Sequence, residues 1–161
     1  MSRSTDDRAS DLTPVDPFPR LAGGGAFVSG DPTSDRLRVS YFHRASDNVL
    51  VAQVWFGPGT EGPPGHAHGG SVASALDEAM GGAAWHAGYA VVAARLTIDF
   101  RQMVPIGLTA TIEARIEQVD GRKIRTRGRL TGEDGTVYAD GDGLFIVLEA
   151  GQLDRLAGRS R

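Results

Sequence analysis

Between Gly65 and Gly82 a loop rich in glycine and proline runs into a helix made almost wholly of small residues. The segment reads Gly65-His66-Ala67-His68-Gly69-Gly70-Ser71-Val72-Ala73-Ser74-Ala75-Leu76-Asp77-Glu78-Ala79-Met80-Gly81-Gly82. Val72, Ala75, Leu76, Ala79, Met80 and Ala83 recur at spacings of three and four, which predicts a helix from residue 70 to about 86. Gly81 and Gly82 each cost about 1 kcal/mol of helix propensity against Ala. A helix that gives this up is expected to be buried with another backbone close against it. Gly88 supplies its C-terminal stop.

The rest of the chain must therefore cover one helix, and its texture is strand and turn. Arg38–Phe42 and Asn48–Phe56 are rich in β-branched and aromatic residues, with a turn-like Ala45-Ser46-Asp47-Asn48 between them, and predict a hairpin. After the helix come Tyr89 to Arg101, Thr109 to Val119, Lys123 to Leu130 and Val137 to Leu148. Thr109 to Val119 alternates well, and Asp120-Gly121 is a strong hairpin signal. Gly141 and Gly143 are expected to mark a bulge or bend in the last strand. The order is hairpin, buried helix, then four strands in a meander. That is an α+β architecture, a curved antiparallel sheet wrapped around one central helix. A single sheet on one helix leaves edge strands and part of the helix bare, so self-association is expected. Trp55 and Trp85 read as core or interface anchors.

The flanks differ in composition. Residues 1–36 carry many Ser, Asp and Pro residues and the cluster Ala22-Gly23-Gly24-Gly25 without a sustained period. They are expected to be a flexible or loosely docked tail, with Pro17-Phe18-Pro19 and Phe27-Val28 as its docking points. Residues 37–149 are the folded domain, and residues 150–161 a polar C-terminal tail. With 17 basic and 20 acidic residues the net charge is -3, which favours neither nucleic acid nor an anionic membrane as partner. The chain has no Cys, which removes disulfides, thiolate chemistry and Cys-based metal sites. No run reaches the roughly 18 apolar residues of a membrane helix. Arg3 and Arg8 precede no apolar segment, so a secretory signal is not expected and the expected location is the cytoplasm.

The chemistry sits on the helix. A helix N-terminus exposes unpaired N–H groups and a partial positive charge, which can polarise a carbonyl or hold an oxyanion. A lone carboxylate on an otherwise apolar helix is costly unless it is paired or used. Asp77 is that carboxylate, nine residues after His68. Together these groups suggest acyl transfer. Glu78 points about 100° away and is expected on a different, wetter face. His66-Ala67-His68, with His86 as a third candidate, could be read as a metal set, yet a helix follows at once and no metal is expected. No Gly-Lys-Ser/Thr occurs, so the glycine-rich segments are not a nucleotide P-loop. Arg122, Lys123, Arg125, Arg127 and Arg129 form a basic stripe whose alternate members are expected on one solvated sheet face.

The run from Gly65 to Gly82, with Leu96-Thr97-Ile98-Asp99-Phe100-Arg101 about twenty residues after Asp77, resembles the hot-dog-fold acyl-CoA thioesterases, in particular the phenylacetate-pathway (PaaI-like) group. The resemblance covers about residues 37–149 and implies a single hot-dog domain that hydrolyses an acyl-CoA to free acid and CoA, with no cofactor. It implies that Asp77 attacks the thioester carbon or activates a water. The Gly70 N–H would polarise the thioester carbonyl, and His68 would order the loop or contact the substrate. Gly69, Gly62, His66, Ser74 and Thr97 would line the substrate, and Arg125 would reach the phosphates of CoA. Many relatives carry an Asn where this chain has Gly62; Thr97 and Ser74 are the nearby hydroxyls.

Gly70 and Asp77 are seven residues apart, so about 10 Å along one helix. One thioester cannot easily touch both in the same chain. Two antiparallel helices would place each Asp77 near the other chain's Gly70, so a homodimer or a dimer of dimers with shared sites is expected. Two other functions fit the fold: a non-catalytic acyl-CoA-binding protein, which need not keep Asp77, and a hydratase, which usually pairs Asp with His on the helix. No His lies within one turn of Asp77.

Overall fold

In the computed structural model, which describes residues 11–19 and 27–158, the alternating segments form one antiparallel sheet. Its strands in chain order are β1 (Leu12–Pro14), β2 (Leu37–Arg44), β3 (Val49–Phe56), β4 (Val91–Phe100), β5 (Thr109–Asp120), β6 (Lys123–Thr131) and β7 (Val137–Val147). Helix α1 (Gly69–His86) lies between β3 and β4, and α2 (Ala150–Leu156) follows β7. The sheet order is β1-β2-β3-β5-β6-β7-β4. This is the hot-dog architecture, a sheet with one central helix. The α1 prediction agrees to within one residue at its start. The Asp120-Gly121 hairpin is present, closing on the Asp120–Lys123 pair with Gly121 at φ 56°.

The strand order corrects the expected meander. β3 pairs with β5, while β4 lies at the far edge beside β7. The reason is the helix: α1 carries the chain across the face of the sheet, so β4 starts on the opposite side and β5 returns to β3.

α1 buries Val72, Ala75, Leu76, Ala79, Met80 and residues 81–84. Leu76 and Met80 meet Ile112, Ile124 and Leu130, all fully enclosed. Small residues set how close helix and sheet come. Gly128 and Gly141 face each other across β6 and β7. A Cβ on either would sit 3.1 or 3.0 Å from Met80. Gly141 and Gly143 therefore mark close approach rather than the expected bulge; β7 keeps its register with both neighbours there. Gly81 and Gly82 are likewise crowded, by the side chains of Phe145 and Leu50 rather than by another backbone. Gly141→Val is expected to overpack this contact and cost about 1–3 kcal/mol of stability, read as a lower denaturant midpoint. Adding Met80→Ala should then cost less than in wild type, because the two changes share one space.

The N-terminal segment contributes more than a tail. Residues 12–14 add strand β1 to the edge of β2. Phe18 packs edge-on against Tyr41 with ring centroids 6.0 Å apart, and Val28 is buried in the core. The C-terminal segment, expected as a polar tail, forms α2. Gly23 to Gly25 lie outside the described residues. In β6 the side chains alternate: Lys123, Arg125, Arg127 and Arg129 point to solvent, and Ile124 and Leu130 point to α1. Trp85 is partly buried against the core and donates to the Val91 carbonyl at 3.1 Å; Arg38 lies over the Trp55 ring. Among the described residues no helix is long and apolar enough to cross a membrane.

Candidate active site

The loop that feeds α1 is fixed by its own hydrogen bonds. The Thr60 hydroxyl donates to the Gly57 carbonyl at 2.7 Å, and the His68 N–H donates to the Thr60 carbonyl at 2.7 Å. The Ala67 N–H donates to the Val104 carbonyl at 2.8 Å. Gly62 stands directly behind His68: a Cβ there would lie 2.8 Å from the His68 Cα. Gly62 is thus a backstop for the loop, which is why a side chain does not fit. His66 turns its Nδ1 to the Pro64 carbonyl at 2.9 Å and bridges to Pro105. It lines neither groove beside the helix start.

His68 is the N-cap of α1. Its extended backbone (φ -62°, ψ 139°) ends the loop, and its Nδ1 accepts from the Gly70 N–H at 2.8 Å. Imidazole supplies the acceptor that Ser or Asp usually provides at this position. This bond bears on which N–H at the helix start is free. The Gly70 N–H is already bonded, whereas the Gly69 N–H has no acceptor among the described residues. The first free donor at the positive end of the helix dipole is therefore Gly69. Ser74 is also committed, its hydroxyl donating to the Gly70 carbonyl at 2.7 Å.

Gly70, Ser74 and Asp77 follow one stripe of α1. Asp77 is half-buried and makes no hydrogen bond or ion pair among the described residues. Its carboxyl is held above the ordinary value of 3.8, chiefly by burial and secondly by the charge of Glu78. Glu78 is not on a wet face. It is half-buried, and its carboxylate accepts from the Tyr41 hydroxyl at 2.6 Å and the Ser29 N–H at 3.3 Å. No local pattern could have joined Tyr41 on β2 to Glu78, since strand alternation does not name a partner.

Two grooves flank the helix start. One, of about 430 Å³, is lined by Phe27, Leu37, Thr60, His68, Gly70 and Ser74, with Arg36 and Glu61 at its wall. The other, of about 290 Å³, is lined by Gly69, Val72, Phe100, Met103 and Val104. Within one chain Thr97 and Arg125 are in neither. They share a third cleft with Arg95, Glu117 and Asp142. In β4, Ile98 faces Met80 of α1, so its neighbour Thr97 points to the outer face. His86 is also distant, at the far end of α1 with its ring 4.8 Å from that of His43. The structure thus brings together His68, Gly69, Gly70 and Ser74, with Asp77 further along the same stripe, and separates them from Thr97, Arg125 and His86.

A half-buried carboxylate with raised proton affinity suits a general base or nucleophile. A free N–H at a helix start suits a carbonyl oxygen that gains charge. Residues 64–139 match the thioesterase superfamily. The chain is 32% identical over 108 residues to acyl-coenzyme A thioesterase THEM4 of Xenopus laevis, covering 66% of this chain and 49% of that protein. It spans about half the length of the curated relatives it matches. A solved thioesterase superfamily protein superposes with a TM-score of 0.64 at 34% identity, covering 68% of this chain and 53% of that one. The E. coli PaaI protein from the phenylacetic acid degradation operon shares the fold, with a TM-score of 0.60 at 22% identity over 63% of this chain and 73% of its own.

Proposed function

Because this chain belongs to the thioesterase superfamily, we propose that it hydrolyses acyl-CoA thioesters to free acid and CoA. The observation that carries the reading is Asp77, a half-buried carboxylate of raised proton affinity with no hydrogen-bond or ion-pair partner among the described residues. Asp77 attacks the thioester carbon, or takes a proton from the water that does. The Gly69 N–H receives the developing oxyanion, with His68 bracing the helix start through Gly70. The C–S bond breaks and CoA leaves as a thiolate that takes up a proton; where Asp77 is the nucleophile, water then hydrolyses the acyl-Asp77 anhydride to free acid and restores the carboxylate. The test is a panel of acyl-CoAs read by release of free thiol. Turnover supports the reading. Binding of acyl-CoA without thiol release would make the protein a sensor.

The active unit in this reading is a homodimer, or a pair of dimers. Gly69 and Asp77 are eight residues apart, about 12 Å along the helix. The β4 edge supports a second copy: Leu96 and Phe100 lie on the α1 side of the sheet yet are 36% and 57% exposed. An edge strand with a bare apolar face is a natural pairing surface. Mixing Asp77→Asn chains with Gly69→Pro chains is expected to restore part of the activity, because one site in each heterodimer keeps both groups. Two dead variants that stay dead in verified heterodimers would place each site within one chain.

The pH dependence follows from Asp77. The base must be ionised, so kcat/KM rises with pH through its folded value, which lies above 3.8. Glu78→Gln removes the neighbouring charge that helps raise it. The acid limb of the profile should then move to lower pH. An acid limb that Glu78→Gln leaves in place would remove Asp77 as the titrating group.

A further inference from the structure

Phe27 is the most exposed large apolar side chain among the described residues, at 77%. Exposure of a whole Phe ring forfeits the stabilisation its burial would bring. Yet the segment that carries it is fastened. Val28, the next residue, is buried in the core. The Ser29 N–H donates to the Glu78 carboxylate, the one hydrogen bond that residues 27–30 make among the described residues. Glu78 is in turn held by the Tyr41 hydroxyl at 2.6 Å. Tyr41 is itself buried, and the third turn of α1 is tied through it to β2. The segment is thus anchored immediately after a ring that projects outward.

Phe27 projects beside the 430 Å³ cavity that Leu37, Gly59, Thr60, Gly70 and Ser74 also line. That volume lies in the usual range for small-molecule sites, roughly 300–1,000 Å³. This cavity opens on the β2 side of α1, between the helix start and Leu37 of β2. The groove on the other side runs to Phe100 and Met103 at the β4 edge, which a second copy would cover. Of the two, the β2-side cavity takes in His68, Gly70 and Ser74 and does not reach the β4 edge. An apolar chain lying there would cover the Phe27 ring.

We propose that Phe27 is the outer wall of the acyl cavity and sets the chain length accepted, with Tyr41, Glu78 and Ser29 as the latch that holds it. This rests on the thioesterase reading above. Burial and the charge of Glu78 push the Tyr41 hydroxyl far up, so it remains a donor to the Glu78 carboxylate across the neutral range. Glu78 is a positioning residue in this scheme and touches no reacting atom.

The test compares kcat/KM for butanoyl-, octanoyl- and palmitoyl-CoA in wild type, Phe27→Ala, Phe27→Trp and Glu78→Ala. Phe27→Ala should shift the ratio of long to short substrates toward long chains by about 10-fold, the scale of a few methylenes in an apolar pocket. Phe27→Trp should shift it toward short chains. Glu78→Ala should resemble Phe27→Ala, and Tyr41→Phe, which removes one of the two bonds, should fall between. If Glu78→Ala fails to fold, the two Phe27 variants decide alone. A chain-length profile identical in wild type and both Phe27 variants overturns the proposal. A wild type that hydrolyses none of the three, but binds them in an order that Phe27→Ala changes, keeps the wall and overturns the hydrolase reading. A wild type that neither binds nor hydrolyses them overturns both.

Discussion

Asp77→Asn is expected to lower kcat by at least about 100-fold, the size of a lost general base or nucleophile. Asn keeps the shape of the side chain and removes its charge. Because the carboxylate has no partner among the described residues, no ion pair is broken. The variant should also be no less stable than wild type at neutral pH, and the sign follows from linkage. The folded-state value of Asp77 is raised above the ordinary 3.8, so the folded protein holds this proton to higher pH than the unfolded chain. Stability from this group is fully present below 3.8 and is lost as pH rises through the folded value. At neutral pH the ionised carboxylate therefore weighs against folding, and Asn relieves it. Turnover and thermal melting on one preparation check both halves. Near-wild-type turnover would remove Asp77 from the reaction. A variant that melts well below wild type would show that the carboxylate has a structural partner.

Gly69→Pro is expected to lower kcat by about 10²–10³-fold, the effect of removing one donor to an oxyanion. Proline is suited to this position. Gly69 is the first residue of α1, where a helix tolerates Pro because that N–H has no intrahelical acceptor. His68 before it is already in the extended conformation that a following Pro requires. A Cβ at Gly69 meets only the Phe100 ring, at 3.4 Å. The substitution thus deletes one N–H and little else. Gly69→Ala keeps the N–H in the same space and should lose far less. Gly70→Pro separates the two donors: it removes the bond to His68 Nδ1, so it should loosen the helix start and raise KM more than it lowers kcat. If Gly69→Pro keeps its kcat while Gly70→Pro loses it, the oxyanion belongs to Gly70 and His68 must release that N–H during turnover.

The roles that the sequence pattern could and could not assign divide along a physical line. The small-residue run from Val72 to Ala83 predicts a buried helix, and α1 spans Gly69–His86. The alternation in residues 123–130 predicts the outward row of Arg125, Arg127 and Arg129, and β6 presents it. Asp120-Gly121 predicts a hairpin because few residue pairs accept that turn. Each of these is local: the periodicity of one segment reports which of its faces is dry. The reading of Asp77 rests on the same kind of local argument, a charge on a helix of small residues, and α1 holds that side chain half-buried.

Partner choice is not local. Whether β4 lies beside β5 or beside β7 changes no alternation pattern, yet it decides which side chains flank Thr97: pairing with β7 sets it beside Asp142 and in one cleft with Arg125. That Gly70 rather than Gly69 is capped depends on the His68 rotamer, which the loop behind it fixes through Gly62 and Thr60. That Glu78 is held rather than solvated depends on Tyr41 and Ser29, 37 and 49 residues away along the chain. The elements are legible in the sequence, because side-chain period and burial cost act within a segment. Which N–H at the helix start is capped, which side chains flank Thr97 and what holds Glu78 became readable only in the folded chain, because such partners are set by contacts between segments.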